Sequence, residues 1–148
     1  MKKSDVSTLV TLWINRMVAV LMVVLLFALP SILDYYSQYR MLTESGMIAV
    51  TVSFYCCAVF IFVALWFMDG LLRSIRKGEV FVRSNVRRVR RIRLCCGIVS
   101  LICLPAAVFY QPLIFLVVIM AFLCLAVSVV ASVMDAAVAI REENDLTV

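Results

Sequence analysis

The chain is dominated by four long runs of apolar residues, separated by short polar or charged segments. The runs cover about residues 10–33, 47–68, 94–110 and 113–134. A helix needs about 20 apolar residues to cross the hydrocarbon core of a bilayer, with a usual range of ~17–25. The third run reaches that length if its helix begins earlier in the chain. The pattern predicts an all-α integral membrane protein, a single domain built as a four-helix bundle.

Composition supports the same prediction, because 66% of the residues are hydrophobic and only 16% are charged. A soluble domain is about 45–50% apolar, with about a quarter of its residues charged. The first run follows two lysines, as in a signal peptide, but it is longer than the apolar part of such peptides. We therefore interpret it as a retained first helix.

The basic residues are concentrated in the predicted loop of residues 69–93, which contains nine of the fourteen in the chain and only two acidic residues. Lys and Arg in short loops stay on the cytoplasmic side of a membrane. The distribution predicts two antiparallel hairpins joined by a basic cytoplasmic loop, with both termini in the cytoplasm and a cytoplasmic tail at residues 140–148. The basic residues of the loop are Arg73, Arg76, Lys77, Arg83, Arg87, Arg88, Arg90, Arg91 and Arg93.

Local signals predict how the helices begin and end around this loop. Gly78 is a typical residue for the position just after a helix, so helix two is predicted to stop there. Ser84 or Asn85 is predicted to cap the start of helix three. Apolar residues then recur at a spacing of three among the arginines, which indicates a narrow amphipathic stretch leading into the third span: Val86, Val89 and Ile92.

Three charged residues, Arg16, Asp69 and Asp135, are predicted to lie near the inner edge of the membrane. An unpaired charge at that depth is costly, so each is expected to pair or to extend toward water. One interpretation is an ion-paired latch, in which Arg16 binds Asp69, Asp135 or both and holds helices one, two and four in register. The other is three side chains that reach the headgroups independently. The sequence leaves both open.

The basic loop has three interpretations. It attracts anionic lipid headgroups, at about 1 kcal/mol per basic side chain near the surface, or it docks an acidic protein, or it binds nucleic acid phosphates. Direct nucleic acid binding is not expected, because the bilayer competes for the same positive face. Helix four is predicted to run to about residue 143. Residues 144–148 are either a frayed end or an extended peptide that adds to a partner's groove, and docking on the basic loop is favoured. The candidate interaction residues at this end are Glu142, Glu143, Asn144, Asp145 and Leu146.

Residues for catalysis are scarce. The chain contains no histidine, the commonest general base and metal ligand, and it contains no Gly-rich phosphate loop, HExxH or GxSxG motif. It is therefore predicted not to be an enzyme and to hold no cofactor. Cys56, Cys57, Cys103 and Cys124 fall near mid-membrane, where thiolates can bind soft metals. Close packing of small apolar side chains is the favoured explanation, so no metal site is predicted.

Two segments carry a family resemblance: Arg-Lys-Gly-Glu-Val-Phe-Val-Arg-Ser-Asn-Val at residues 76–86 and Ile-Arg-Glu-Glu-Asn-Asp-Leu-Thr-Val at residues 140–148. Together with Leu29-Pro30 they resemble the bacterial domain-of-unknown-function 2975 family of small four-span membrane proteins. The resemblance implies a multi-pass protein of the bacterial inner membrane. Members are often encoded beside small helix-turn-helix regulators, which implies by analogy a membrane-bound regulatory role.

Three functional hypotheses follow. The first is a non-enzymatic membrane regulator whose cytoplasmic face engages a cytosolic partner. The second is a small transporter or permeability factor for a soft metal or an amphipathic compound, and the third is a scaffold subunit of a membrane complex. Mid-membrane positions are mainly Leu, Val, Ala, Phe and Cys, whereas transporters usually place polar residues or broken helices there. This favours a regulator or a scaffold, and homo-oligomer formation is left open.

Overall fold

A computed structural model describes residues 3–39 and 44–146, and nearly all of them are helical. The helices are α1 (Lys3–Tyr39), α2 (Glu44–Arg76), α3 (Arg83–Phe109) and α4 (Leu113–Leu146). Each contains a stretch long and apolar enough to cross a membrane, which confirms the predicted all-α, multi-pass architecture. The four stretches are Ser7–Ile32, Ser45–Arg76, Arg83–Val108 and Leu113–Asn144.

Large apolar side chains cover the outside of the helices. Phe27 on α1 is 82% exposed and Phe115 on α4 is 75% exposed. Contiguous apolar surface of this kind marks an interaction or membrane surface. In a bilayer these side chains face lipid tails. Insertion into a membrane therefore accounts both for the outward apolar surface and for the length of the helices.

The helices pack in chain order, α1 on α2, α2 on α3 and α3 on α4. Within the described residues, no other pair of helices brings Cα atoms within 8 Å of each other. Helices α2 and α3 therefore each have two neighbours and form the centre of the packing, whereas α1 and α4 each have one.

The packing of α3 follows a line of buried side chains along the helix. Successive members are three or four residues apart, the spacing that keeps side chains on one helical face. The three predicted from the sequence at its start are all buried, and the line continues along the apolar part of the helix. Its members are Val86, Val89, Ile92, Cys95, Val99, Cys103 and Ala106.

Helix α1 continues past Pro30 to Tyr39, beyond the predicted end of the first span at residue 33. Proline has no backbone N–H, so the carbonyl of Leu26 loses its donor within the helix. The Tyr55 hydroxyl on α2 donates a hydrogen bond to that carbonyl at 3.3 Å. A neighbouring helix thus supplies the donor that proline removes, as membrane helices require. The remaining connection, residues 40–43, lies outside the described residues.

This contact predicts a conditional effect of removing the Tyr55 hydroxyl. Tyr55→Phe should lower the free energy of unfolding in detergent by about 0.6–1.5 kcal/mol, the usual value of such a bond between membrane helices. In the Pro30→Ala background the Leu26 carbonyl regains a helical donor, so the same substitution should cost less. A double-mutant cycle measures the difference. Equal costs in the two backgrounds would show that the hydroxyl does not compensate for the proline.

The connection between α2 and α3 is short. Helix α2 ends at Arg76, and Gly78 follows with φ +82°, a left-handed conformation that glycine adopts without strain, so the predicted end is confirmed. Helix α3 begins at Arg83 with Val82 at the N-cap and no side-chain capping bond. The predicted cap at Ser84 or Asn85 is therefore wrong, because both residues lie inside the first turn of α3.

Candidate interaction face

The end of the structure that carries the α2–α3 connection collects most of the charge. We call residues 69–93 together with residues 135–146 the basic face. It includes all nine basic residues singled out in the sequence, and the structure brings two of them, Arg83 and Arg90, to carboxylates on α4. Arg76 and Lys77, at the end of α2, are exposed.

Arg83, the first residue of α3, binds Glu142 near the end of α4. Its Nε donates to Oε1 at 3.0 Å and its Nη2 donates to Oε2 at 2.8 Å, so the guanidinium binds the carboxylate with two parallel hydrogen bonds. Both side chains remain largely exposed, at 60% and 48%. The structure therefore brings the predicted acidic end and the predicted basic segment together through one solvent-accessible pair.

A second ion pair links the same two helices. It lies about two turns of α4 closer to the apolar stretch. Arg90 Nη2 donates to Asp135 Oδ2 at 2.7 Å. One interpretation of the sequence paired Asp135 with Arg16. The structure pairs it with Arg90 instead, because Asp135 lies beside α3, and no described Cα atom of α1 lies within 8 Å of one on α4. The ion pair fixes α4 against α3 rather than against α1.

Asp69 has a local partner. Its Oδ2 binds Arg73 Nη2 at 2.6 Å, one turn along α2. Its Oδ1 is buried and has no hydrogen-bond partner in the described residues. Arg16 lines the same shallow groove between α1 and α2 as Asp69, but no ion pair joins them there. The predicted latch across helices one, two and four is therefore replaced by separate pairs, Asp69 with Arg73 and Asp135 with Arg90.

Asn85 is the polar residue at the centre of the basic face, and it is fully buried at 0% exposure. Its side-chain amide donates to the carbonyls of Glu79 at 2.7 Å and Val80 at 3.1 Å. Its Oδ1 accepts a hydrogen bond from Arg88 at 2.9 Å. One side chain thus connects the α2–α3 turn to α3 and orients an arginine. The sequence suggested Asn85 as a helix cap. It gave no indication that this polar side chain is buried within a charged segment, which is the feature that reveals its role.

Three other arginines of α3 contact neutral groups instead of carboxylates. Arg88 Nη1 also donates to the carbonyl of Gly70 at 3.2 Å. The Arg91 guanidinium lies over the Phe67 ring, 5.0 Å from its centroid. Arg93 Nη1 donates to Ser128 Oγ at 3.2 Å. These contacts fix the side chains without cancelling their charge.

The acidic end of α4 differs from its prediction. Residues 144–146 continue the helix, whereas a frayed or extended end was expected to begin at residue 144. Ala136, Ala137, Ala139, Arg141 and the two glutamates are all favourable in helices, which explains the continuation. The side chains of Asp145 and Leu146, and the whole of residues 147–148, lie outside the described part of the chain.

Two cysteines meet at mid-membrane. Cys57 Sγ on α2 lies 3.4 Å from Cys103 Sγ on α3, and both residues are buried. They pack with Val99 in a small core that Phe60, Ile61, Ile102, Val117 and Met120 surround. Among the described residues, no group of three or more Cys, Asp or Glu side chains is placed to hold a metal ion.

Comparison with known proteins gives one match. Neither the curated proteins nor the solved structures contain a significant match to this chain. The family model described as "Protein of unknown function (DUF2975)" matches residues 2–148, almost the full length. The match includes both segments that carry the resemblance seen in the sequence, the α2–α3 connection and the end of α4. The chain therefore belongs to the DUF2975 family of membrane proteins of unknown function.

Proposed function

We propose that this protein is a non-enzymatic membrane regulatory or interaction protein of the bacterial inner membrane, whose basic face lies in the cytoplasm and engages a cytosolic protein. By analogy with the family, a small helix-turn-helix regulator is a candidate partner. The observation that carries the proposal is the exposed pair between Arg83 and Glu142. It joins the start of α3 to the end of α4 at the outermost part of the basic face.

An exposed ion pair contributes little to stability, because water and salt screen it. A partner with complementary charges can therefore replace it at little cost, which opens the contact between the end of α4 and α3 without unfolding the spans. The positive charge of the segment also speeds association with an acidic surface. These properties suit a reversible docking site better than a structural brace.

The test is capture of soluble proteins by the full-length chain in mild detergent, with quantitative mass spectrometry of what co-purifies. The informative variant is the exchanged pair Arg83→Glu with Glu142→Arg, which preserves net charge and the chance to pair but inverts the pattern that a partner reads. We expect at least one soluble protein to be captured about tenfold less by this variant. The variant Gln111→Ala, in the exposed turn between α3 and α4 at the other end of the bundle, is the control and should retain capture.

Thermal unfolding of each variant separates loss of binding from loss of folding. The exchanged pair should unfold within a few degrees of the original, because an exposed pair contributes little. If capture by the exchanged variant equals that by the original protein for every soluble protein, the pair is not the docking contact and the proposal fails.

The transporter alternative is favoured by one feature, the thiol pair of Cys57 and Cys103. If the protein were such a transporter, its transport activity would depend on those two cysteines and not on Arg83 or Glu142. The surroundings of the pair are apolar, and each described helix runs unbroken through its apolar stretch. Transporters usually interrupt their helices where they bind the substrate. The regulatory proposal is preferred on that ground.

A further inference from the structure

A charged groove lies between α2 and the first half of α3, on a different part of the basic face from the Arg83–Glu142 pair. It has a volume of about 360 Å³. One wall consists of Trp66, Phe67 and Gly70 on α2, and the other carries Arg87, Arg88 and Arg91 on α3. Ser84 lies at its end. The lining contains three positive charges and no acidic residue.

The positive charge of this groove has no counter-charge in the described structure. Arg88 is bound to the Gly70 carbonyl and to Asn85 Oδ1, and Arg91 rests on the Phe67 ring. No carboxylate of the described residues lies within ion-pair distance of the three guanidinium groups. Arg73, Arg83 and Arg90 contrast with them, because each binds a carboxylate at 2.6–2.8 Å. Three arginines of the basic face thus bind carboxylates, whereas the three that line the groove have no carboxylate partner among the described residues.

The other wall of the groove is aromatic and continues into the apolar stretch of α2. Trp66 is 79% exposed, and tryptophan is enriched where a helix meets the headgroup layer of a membrane. A ligand for this groove therefore needs a negative group for the arginines and apolar chains beside Trp66. A phospholipid places a phosphate beside its acyl chains, so it can contact the arginines and Trp66 together. A soluble phosphorylated molecule has no apolar chain to contact Trp66.

We propose that the groove binds the phosphate of an anionic glycerophospholipid. Arg87 and Arg91, four residues apart on one face of α3, reach the phosphate oxygens together with Arg88. Guanidinium groups match phosphate geometry with paired hydrogen bonds. The acyl chains lie along Trp66 and the α2 surface. This inference does not depend on the proposed protein partner or on which side of the membrane the face lies.

The test compares two triple variants of equal charge change. The groove variant carries Arg87→Gln, Arg88→Gln and Arg91→Gln; the control carries Arg73→Gln, Arg83→Gln and Arg90→Gln. Each is purified at full length and placed in phosphatidylcholine nanodiscs that contain a minor fraction of spin-labelled phosphatidylglycerol. The fraction of immobilised spin label measures lipid binding. The salt concentration is held fixed, because salt screens exposed charges. Thermal unfolding of both verifies folding.

We expect the groove variant to bind the labelled lipid at least about tenfold more weakly than the original protein, and the control to lose less than about twofold. Equal losses in the two variants would show that headgroups bind the whole basic face diffusely, and this would overturn the proposal. Displacement of the labelled lipid by millimolar inorganic phosphate would also overturn it, because the site would then bind a free anion.

Gly70→Ala gives a second test that leaves the charge unchanged. A Cβ at this position would lie 3.3 Å from Arg88 Nε and 3.6 Å from its Cζ, so the Arg88 side chain must shift by a few tenths of an ångström. Alanine is a better helix former than glycine, so the helix itself should not be weakened. Lipid binding should fall by up to about fivefold, the value of one basic side chain near the surface. Undiminished binding would contradict the role given to Arg88.

Discussion

Replacing Asn85 by alanine should lower the free energy of unfolding by about 2–4 kcal/mol, more than any other single substitution proposed for this chain. The side chain is fully buried and makes three hydrogen bonds, to the carbonyls of Glu79 and Val80 and to Arg88. Alanine removes all three. The Val80 carbonyl and Arg88 each lose this partner, and the Glu79 carbonyl retains only the Ser74 hydroxyl at 3.2 Å. A buried polar group without its partner costs more than the bond itself contributed.

Denaturant unfolding in detergent measures the loss. Asn144→Ala is the matched control, because Asn144 is exposed on α4, and it should change stability by less than about 0.5 kcal/mol. Asn85→Asp provides a second comparison: it retains an acceptor for Arg88 but turns a carboxylate toward two carbonyl oxygens. It should be no more stable than the alanine variant. If Asn85→Ala and Asn144→Ala have equal effects, Asn85 does not hold the α2–α3 turn.

The four helices were predictable because each apolar run is long enough to span a membrane, whatever the details of its packing. The end of α2 was also predictable, since Gly78 adopts the left-handed conformation found after many helices. The burial of Val86, Val89 and Ile92 followed from their spacing among the arginines. In each case a local pattern decides the structure.

The features that could not be predicted depend on contacts between helices. The first span was predicted to end at residue 33, yet α1 continues to Tyr39, and the Leu26 carbonyl that Pro30 leaves free accepts a hydrogen bond from Tyr55 on another helix. Arg16, Asp69 and Asp135 lie at similar depths, so sequence alone could not choose among their partners. The packing order decides the outcome: α4 contacts α3 and not α1, and Asp135 therefore binds Arg90.

The orientation of the basic face is the central claim of the functional account, because a cytosolic partner can reach it only from the cytoplasm. The nine basic residues of the segment favour this side by the positive-inside rule. Two exposed positions report the two ends of the bundle: Glu79 in the α2–α3 connection and Gln111 in the turn between α3 and α4. Ser7 and Arg141 report the two ends of the chain.

The measurement is labelling of single cysteines by a membrane-impermeant thiol reagent in intact cells, after the six native cysteines have been replaced. The account predicts that Gln111→Cys is labelled in intact cells, and that Glu79→Cys, Ser7→Cys and Arg141→Cys are labelled only after the membrane is permeabilised. Labelling after permeabilisation verifies that each position is reactive. Labelling of Glu79→Cys in intact cells would place the basic face outside the cytoplasm and contradict the account.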